Sequence, residues 1–131
     1  MNATAASRIT PAAVPTLYER LGGPAGISRI VDDLVAAHLA NPLVRTRFEG
    51  VDRERLKQRA REFLAAGSGG PAAYSGRDMR AAHKGMNISE QEFLAVVDDA
   101  MLALDKNRVD ADTKKDVLAI LYSLKTEIIR T

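Results

Sequence analysis

The chain has 131 residues, of which 46% are hydrophobic and 27% charged, a composition typical of one soluble domain with a buried core. Its 19 Lys and Arg residues nearly balance 17 Asp and Glu, so a net charge of +2 gives no indication of nucleic acid as a partner. The lack of cysteine excludes disulfides, thiolate metal sites and cysteine nucleophiles. No apolar run approaches the ~20 residues that cross a bilayer. The Ala/Ser/Thr-rich opening also lacks the apolar block of a signal peptide, so we expect a cytoplasmic protein without membrane contact.

Every long periodic segment has the spacing of an amphipathic helix, and none alternates as a strand would. In chain order, the sequence predicts a short helix in residues 16–22, long helices in 26–41 and 51–70, a short one in 77–84, and long ones in 89–106 and 110–129. Pro24 suits a first helical turn, Asp52 an N-cap, and Ser89 with Glu92 a capping box. The fold class is therefore all-α, with one domain over residues 16–131 after a flexible tail of residues 1–15.

Titratable residues are scarce on the apolar stripes, so we predict no catalytic residue of the Ser/His/Asp type. The acidic pairs at residues 32–33 and 98–99 point in different directions on a helix and are interpreted as solvated faces. The alternating basic residues from Arg53 to Arg61 spread around a helix and are interpreted as its solvent side. Neither His38 nor His83 follows a Glu by three residues, which disfavours a carboxylate-bridged di-metal bundle.

His83 stands out because of its neighbours in the sequence. It follows a glycine-rich loop and lies among apolar and cationic side chains: Met79, Ile88, Phe93 and Val96, with Arg77, Arg80 and Lys84. An imidazole between apolar walls with positive charge at the rim suits a flat apolar cofactor that has anionic groups on one edge. Haem has that shape and charge, and its iron takes an axial imidazole.

Three stretches resemble the truncated haemoglobins of the first group, the shortened two-over-two form of the globin fold. "LYERLGG" at residues 17–23 resembles the family's opening motif, and Phe48 in "RFEGVD" matches the phenylalanine that packs on the haem. "GGPAAYSGRDMRAAHKGMNI", residues 69–88, resembles the signature that contains the proximal histidine. The resemblance runs from residue 17 to about residue 125 and implies a truncated globin with a very short helix before the ligand.

The resemblance implies that non-covalent haem b binds here and that His83 is its iron ligand, with the other ring nitrogen held by a backbone carbonyl or water. Arg59 matches a basic position that pairs with a haem propionate, and Lys84 or Arg80 would assist. No histidine occurs in the last helix, so covalent haem attachment is not expected. The expected cofactor-binding residues are Phe48, Leu56, Arg59, Ala60, Phe63, Tyr74, Met79, His83, Lys84, Ile88, Phe93, Val96 and Leu121.

The distal side departs from the family pattern. Where many relatives have a Phe-Tyr pair and further polar groups, this chain has Leu34, Val35, Leu56 and Ala60. Dioxygen bound to haem iron has superoxide character and gains from a hydrogen-bond donor, whereas carbon monoxide gains little. Losing one such bond costs roughly 1 to 3 kcal/mol, or about ten- to a hundredfold in affinity. We therefore predict fast oxygen release and weak discrimination against carbon monoxide.

Several alternatives remain open at the level of the sequence. His38, on the apolar stripe of its helix, either coordinates the iron as a sixth ligand or has a structural role, and Arg59 is the other residue that could reach the distal side. We expect reversible binding of O2, CO or NO rather than classical enzyme activity, with detoxification of nitric oxide through a reductase as an alternative. A globin-fold interaction or regulatory module that binds haem weakly or not at all is a second alternative. The expected oligomeric state is a monomer or weak dimer.

Overall fold

The structure is a computed structural model that describes residues 14–71 and 76–130. These residues form α helices and one 3-10 turn, and the part of the chain described contains no strand beyond an isolated bridge between Ile88 and Ile129. The expected flexible tail lies almost wholly outside the described residues. The α helices are α1 (Leu17–Arg20), α2 (Gly23–Ala40), α3 (Arg53–Gly67), α4 (Met79–His83), α5 (Glu90–Lys106), α6 (Ala111–Ser123) and α7 (Lys125–Ile128), and the 3-10 turn is Arg45–Phe48.

The helix starts follow the local signals that the sequence predicted. Pro24 lies in the first turn of α2, and the Asp52 carboxylate accepts the backbone N–H of Arg55 at the start of α3. At the start of α5, the Ser89 hydroxyl accepts the N–H of Glu92, whose carboxylate accepts the N–H of Ser89. The long helices therefore begin close to where their caps place them.

Helix α2 is the centre of the packing. It packs against both α3 and α5, and α5 packs in turn against α6, which are the pairings of a fold with two helical layers. Buried apolar side chains from α2, α3, α5 and α6 fill the space between them, with Ile27, Val31 and Leu104 at most 2% exposed. These layers confirm the predicted all-α, two-over-two fold.

The C-terminal segment differs from the single helix predicted for residues 110–129. Helix α6 ends at Ser123, and the short α7 follows it and packs against α4. After α7 the chain becomes extended, and the Arg130 N–H donates to the Ile88 carbonyl at 3.0 Å. In this arrangement Ile128 and Ile129 pack on a second cluster of buried residues that includes Ile88 and Phe93. The end of the chain therefore supports the loop that follows His83.

Candidate functional site

A cavity of about 250 Å³ opens between α2, α3, α4, α5 and the C-terminal helices. Its walls are mostly apolar, and its polar lining comes from His38, Arg47, His83 and Glu92. Such an apolar cleft with a few convergent polar groups is the form that small-molecule and cofactor sites take. The apolar lining residues are Leu34, Val35, Val44, Phe48, Leu56, Ala60, Met86, Ile88, Phe93, Val96, Val97, Leu121, Leu124 and Ile128.

His83 is the last residue of the five-residue helix α4, which Asp78 caps by accepting the Ala81 N–H. Its Nδ1 lies 2.8 Å from the Met79 carbonyl oxygen. A carbonyl oxygen can only accept, so Nδ1 carries the proton and donates it, which leaves the ring's lone pair on Nε2. Of the two partners that the family resemblance implies for this nitrogen, a backbone carbonyl or water, the structure has the carbonyl. The same hydrogen bond fixes the tautomer that a metal-binding imidazole needs.

The side of the cavity formed by α2 and α3 is apolar. Leu34, Val35, Leu56 and Ala60 all line the cavity, and Val35 is only 3% exposed. These four side chains contain no polar atom, so none can donate a hydrogen bond to a ligand. Any polar contact on this side must come from a neighbouring residue.

His38 is such a neighbour, and it belongs to a buried polar cluster with Asp99 and Asn41. His38 Nδ1 lies 2.8 Å from Asp99 Oδ2, and Asn41 Nδ2 donates to both Asp99 oxygens at 3.1 and 3.2 Å. The imidazole stacks on Phe48 with ring centroids 4.8 Å apart. Burial lowers the pKa of His38 below its usual value, against the opposing effect of the hydrogen bond and the negative charge of Asp99.

The position of Asp99 corrects one prediction. The pair at residues 98–99 was interpreted as a solvated face, but only Asp98 is exposed, whereas Asp99 is 7% exposed and faces α2. A buried carboxylate is tolerated because His38 and Asn41 satisfy both of its oxygens. Asp99 thus replaces the apolar residue that the periodicity of α5 would place there.

Arg47 forms a second polar link that the sequence analysis missed. Its Nε and Nη2 donate to the two Glu92 oxygens at 2.6 and 2.9 Å, and its Nη1 donates to the Met86 carbonyl at 2.9 Å. The guanidinium lowers the pKa of Glu92 to about 2, with further help from the Ser89 N–H. This link joins the 3-10 turn to the loop after His83 and to the start of α5, across one edge of the cavity.

We expect Arg47→Met to destabilise the fold by about 1 kcal/mol at pH 7, a value reduced from that of a buried pair because both side chains are partly exposed. The pKa of Glu92 is lower in the folded protein than its ordinary 4.5, so this stabilisation is complete above pH 4.5 and is lost as pH falls through about 2. Urea unfolding as a function of pH measures both effects.

The matched control is Arg45→Met, which removes an exposed arginine from the same turn. This control should leave the free energy of unfolding nearly unchanged. Equal losses in the two variants would show that Arg47 stabilises the fold through general charge and not through Glu92.

The other residues predicted to bind a cofactor fall into three groups. Phe48, Leu56, Ala60, His83, Ile88, Phe93, Val96 and Leu121 line the cavity. Arg59, Phe63, Met79 and Lys84 do not line it, and Arg59 donates to Glu62 on its own helix at 3.2 Å. Tyr74 lies outside the described residues. The lining residues Val44, Arg47, Met86, Glu92, Val97, Leu124 and Ile128 were not predicted, because neither loop position nor helical periodicity separates a cavity wall from a core.

Comparisons with known proteins agree with this architecture. The model of the bacterial-like globin family matches residues 16–130. A group 1 truncated haemoglobin of Mycolicibacterium paratuberculosis is 30% identical over 122 residues, which cover 93% of this chain and 90% of the relative.

Among solved structures, the truncated haemoglobin of Tetrahymena pyriformis in its Fe(III) form superposes with a TM-score of 0.86 at 26% identity, over 89% of this chain and all of that one. The 2/2 haemoglobin of Synechococcus, solved in the cyanomet state with covalently attached haem, has a TM-score of 0.79 at 30% identity. The superposition covers 94% of the Synechococcus protein and 85% of this chain. The chain is thus similar to whole truncated haemoglobins and not to a fragment of them. No helix within residues 14–71 and 76–130 is long and apolar enough to cross a membrane.

Proposed function

Because this chain belongs to the bacterial-like globins and is a haem-binding globin of the truncated type, we propose that it binds diatomic gases reversibly at a haem iron ligated by His83. The observation that carries this proposal is the His83 side chain itself. It lines the apolar cavity, and its Nδ1–H is already engaged by the Met79 carbonyl. That arrangement leaves Nε2 as the nitrogen with a lone pair for a metal.

The cavity fits haem in both chemistry and position. Apolar side chains from α2, α3, α5 and α6 form walls suited to a macrocycle, and Phe48 supplies an aromatic face. Arg59 and Lys84, which are partly or fully exposed outside these walls, are the cations we assign to the propionate edge. When bound, the haem would supply an iron centre for O2, CO or NO.

The residues of the chain determine how the iron site behaves. His83 would hold the metal, and the hydrogen bond to Met79 orients its ring and raises its basicity. Leu34, Val35, Leu56 and Ala60 would exclude water from the α2 and α3 side of the cavity and would donate nothing to a ligand. We infer non-covalent haem b, because the two histidines of the chain are His38 and His83 and neither lies in the C-terminal helices.

The test is an absorption spectrum of haem-reconstituted protein in the ferric, ferrous and ferrous plus carbon monoxide states, beside His83→Gly. We expect stoichiometric haem and a histidine-ligated carbon monoxide spectrum in the native chain. The variant should lose this spectrum and regain it when free imidazole is added, because imidazole can enter the space that the side chain left. Circular dichroism of each variant reports whether the helices remain folded.

His38→Leu is the matched control, since it removes the other histidine that lines the cavity. It should keep the carbon monoxide spectrum. If His38→Leu loses that spectrum and His83→Gly retains it, the two assignments are reversed. If the native chain takes up no stoichiometric haem, the gas-binding proposal is wrong and the fold serves another purpose.

A further inference from the structure

The buried cluster of His38, Asp99 and Asn41 has a feature that a purely structural role does not require. The His38 side chain is 7% exposed and lines the cavity, yet among the residues that the structure describes only one of its two ring nitrogens has a hydrogen-bond partner. Within residues 14–71 and 76–130, no donor or acceptor meets Nε2. A buried polar atom without a partner is costly, so its presence beside a cavity points to a ligand that satisfies it.

The protonation of the ring follows from its neighbours. Asn41 Oδ1 accepts the Leu43 N–H at 3.0 Å, so the amide group of Asn41 turns its N–H donors toward Asp99. Asp99 therefore acts as an acceptor toward Asn41 and, by the same chemistry, toward His38. His38 Nδ1 carries the proton, and Nε2 carries the lone pair. Burial lowers the pKa of His38, which favours this neutral form near pH 7.

We propose that His38 is the polar group on the distal side, held by Asp99 and Asn41 so that Nε2 accepts a hydrogen bond or a proton from small protic ligands of the form H–X. Hydrogen sulfide and hydrogen peroxide are ligands of this class. This inference rests on the haem site proposed above. In the binding step, the proton of H–X moves to Nε2 while the anion X⁻, which keeps the bonding electron pair, binds the ferric iron. No oxidation or reduction is involved.

The surroundings of His38 suit a transient positive charge. The Asp99 carboxylate lies behind the ring on α5 and would balance an imidazolium. The other titratable or charged groups that line the cavity are Arg47, Glu92 and His83, and the first two form their own ion pair. Helix α3 contributes only Leu56 and Ala60 to the lining. Asp99 is thus the charged group that hydrogen-bonds the His38 ring, and it acts as a positioning residue.

The same tautomer explains why His38 would not retain dioxygen. A lone pair on Nε2 can accept a proton but cannot donate one, and bound dioxygen needs a donor. His38 therefore discriminates by the proton that a ligand carries, and not by the ligand's size.

The experiment compares the native holoprotein with His38→Leu and Asp99→Asn. The first probe is hydrogen cyanide, a weak acid, and its association with the ferric protein is followed by stopped flow at pH 7. We expect a loss of about a hundredfold in association rate in both variants, at the lower end of what a positioned general base contributes. A normal carbon monoxide spectrum in each variant shows that the haem site is intact.

Asp99→Asn gives a second result that a structural role would not produce. An asparagine amide facing His38 would donate to Nδ1, so the proton moves to Nε2 and the ring becomes a donor toward the cavity. Oxygen dissociation should then slow about tenfold in Asp99→Asn, whereas in His38→Leu it should stay fast. The two variants should therefore have similar association rates for hydrogen cyanide and different dissociation rates for oxygen.

Nitrogen-15 NMR of the diamagnetic ferrous carbon monoxide form, with labelled histidine, gives a test that needs no variant. We expect Nε2 of His38 to be unprotonated in the native protein and protonated in Asp99→Asn. A protonated Nε2 in the native protein would overturn the proposal. The proposal would also be overturned if cyanide associated with His38→Leu at a rate within threefold of the native rate while the carbon monoxide spectrum stayed normal. A six-coordinate ferrous spectrum that His38→Leu abolishes would overturn it as well, since His38 would then bind the iron itself. Failure to bind haem would contradict the proposed function instead.

Discussion

Val35→Tyr should slow oxygen dissociation by about ten- to a hundredfold, the effect of one hydrogen bond worth roughly 1 to 3 kcal/mol. Val35 is 3% exposed and lines the cavity on the α2 side, together with Leu34. The native chain offers no donor from these positions, so we expect bound dioxygen to leave fast. A tyrosine hydroxyl on this wall would donate to the charge that dioxygen acquires on iron, whereas carbon monoxide has little charge to stabilise.

Stopped-flow measurement of both gases separates this effect from a change in packing. The matched control is Val35→Phe, which has the same ring without the hydroxyl and should leave oxygen dissociation close to that of the native protein. Since His38 lies one helical turn away and could accept the new hydroxyl, the pair is also measured in a His38→Leu background. If the native chain already releases oxygen as slowly as Val35→Tyr, another group must donate a hydrogen bond to the bound dioxygen, and the prediction of an apolar distal side would be wrong.

The helices were predicted well because each local signal involves residues that lie close together in the sequence. The caps at Asp52 and Ser89 involve residues three positions apart, and the apolar stripes repeat every turn. The short helix that ends at His83 was also predicted, at residues 77–84, and α4 covers Met79–His83 within that range. The resemblance to a family signature added that this helix is very short and precedes the iron ligand.

The polar parts of the site could not be predicted in the same way. His38 and Asp99 are 61 positions apart, and Arg47 and Glu92 are 45 apart, so neither pair has a local pattern. An aspartate on a helix is interpreted as exposed because burying its charge is costly, and only the fold shows that Asn41 and His38 offset that cost. The same applies to the extended segment after α7, which pairs with Ile88.

Gly26→Ala tests how closely the site's central helix approaches the rest of the chain. A Cβ atom at Gly26 would lie 2.1 Å from the Leu21 carbonyl oxygen, and Leu21 is itself 3% exposed. Because the obstacle is backbone in a buried corner, it cannot rotate away, and the start of α2 must shift. We expect destabilisation by about 3 kcal/mol, measured by urea unfolding of the native protein and the variant.

Gly67→Ala is the matched control, because Gly67 is the last residue of α3 and a Cβ there meets nothing within 4 Å. Alanine restricts the unfolded chain more than glycine does, so this variant should be more stable by about 0.4 to 1 kcal/mol. If the free energy of unfolding falls in Gly26→Ala and rises in Gly67→Ala, close approach of the backbone determines the result and helix propensity does not. Since α2 provides Leu34, Val35 and His38, a shift at its start should also weaken haem retention. A Gly26→Ala protein as stable as the native chain would contradict the packing of α2 against Leu21.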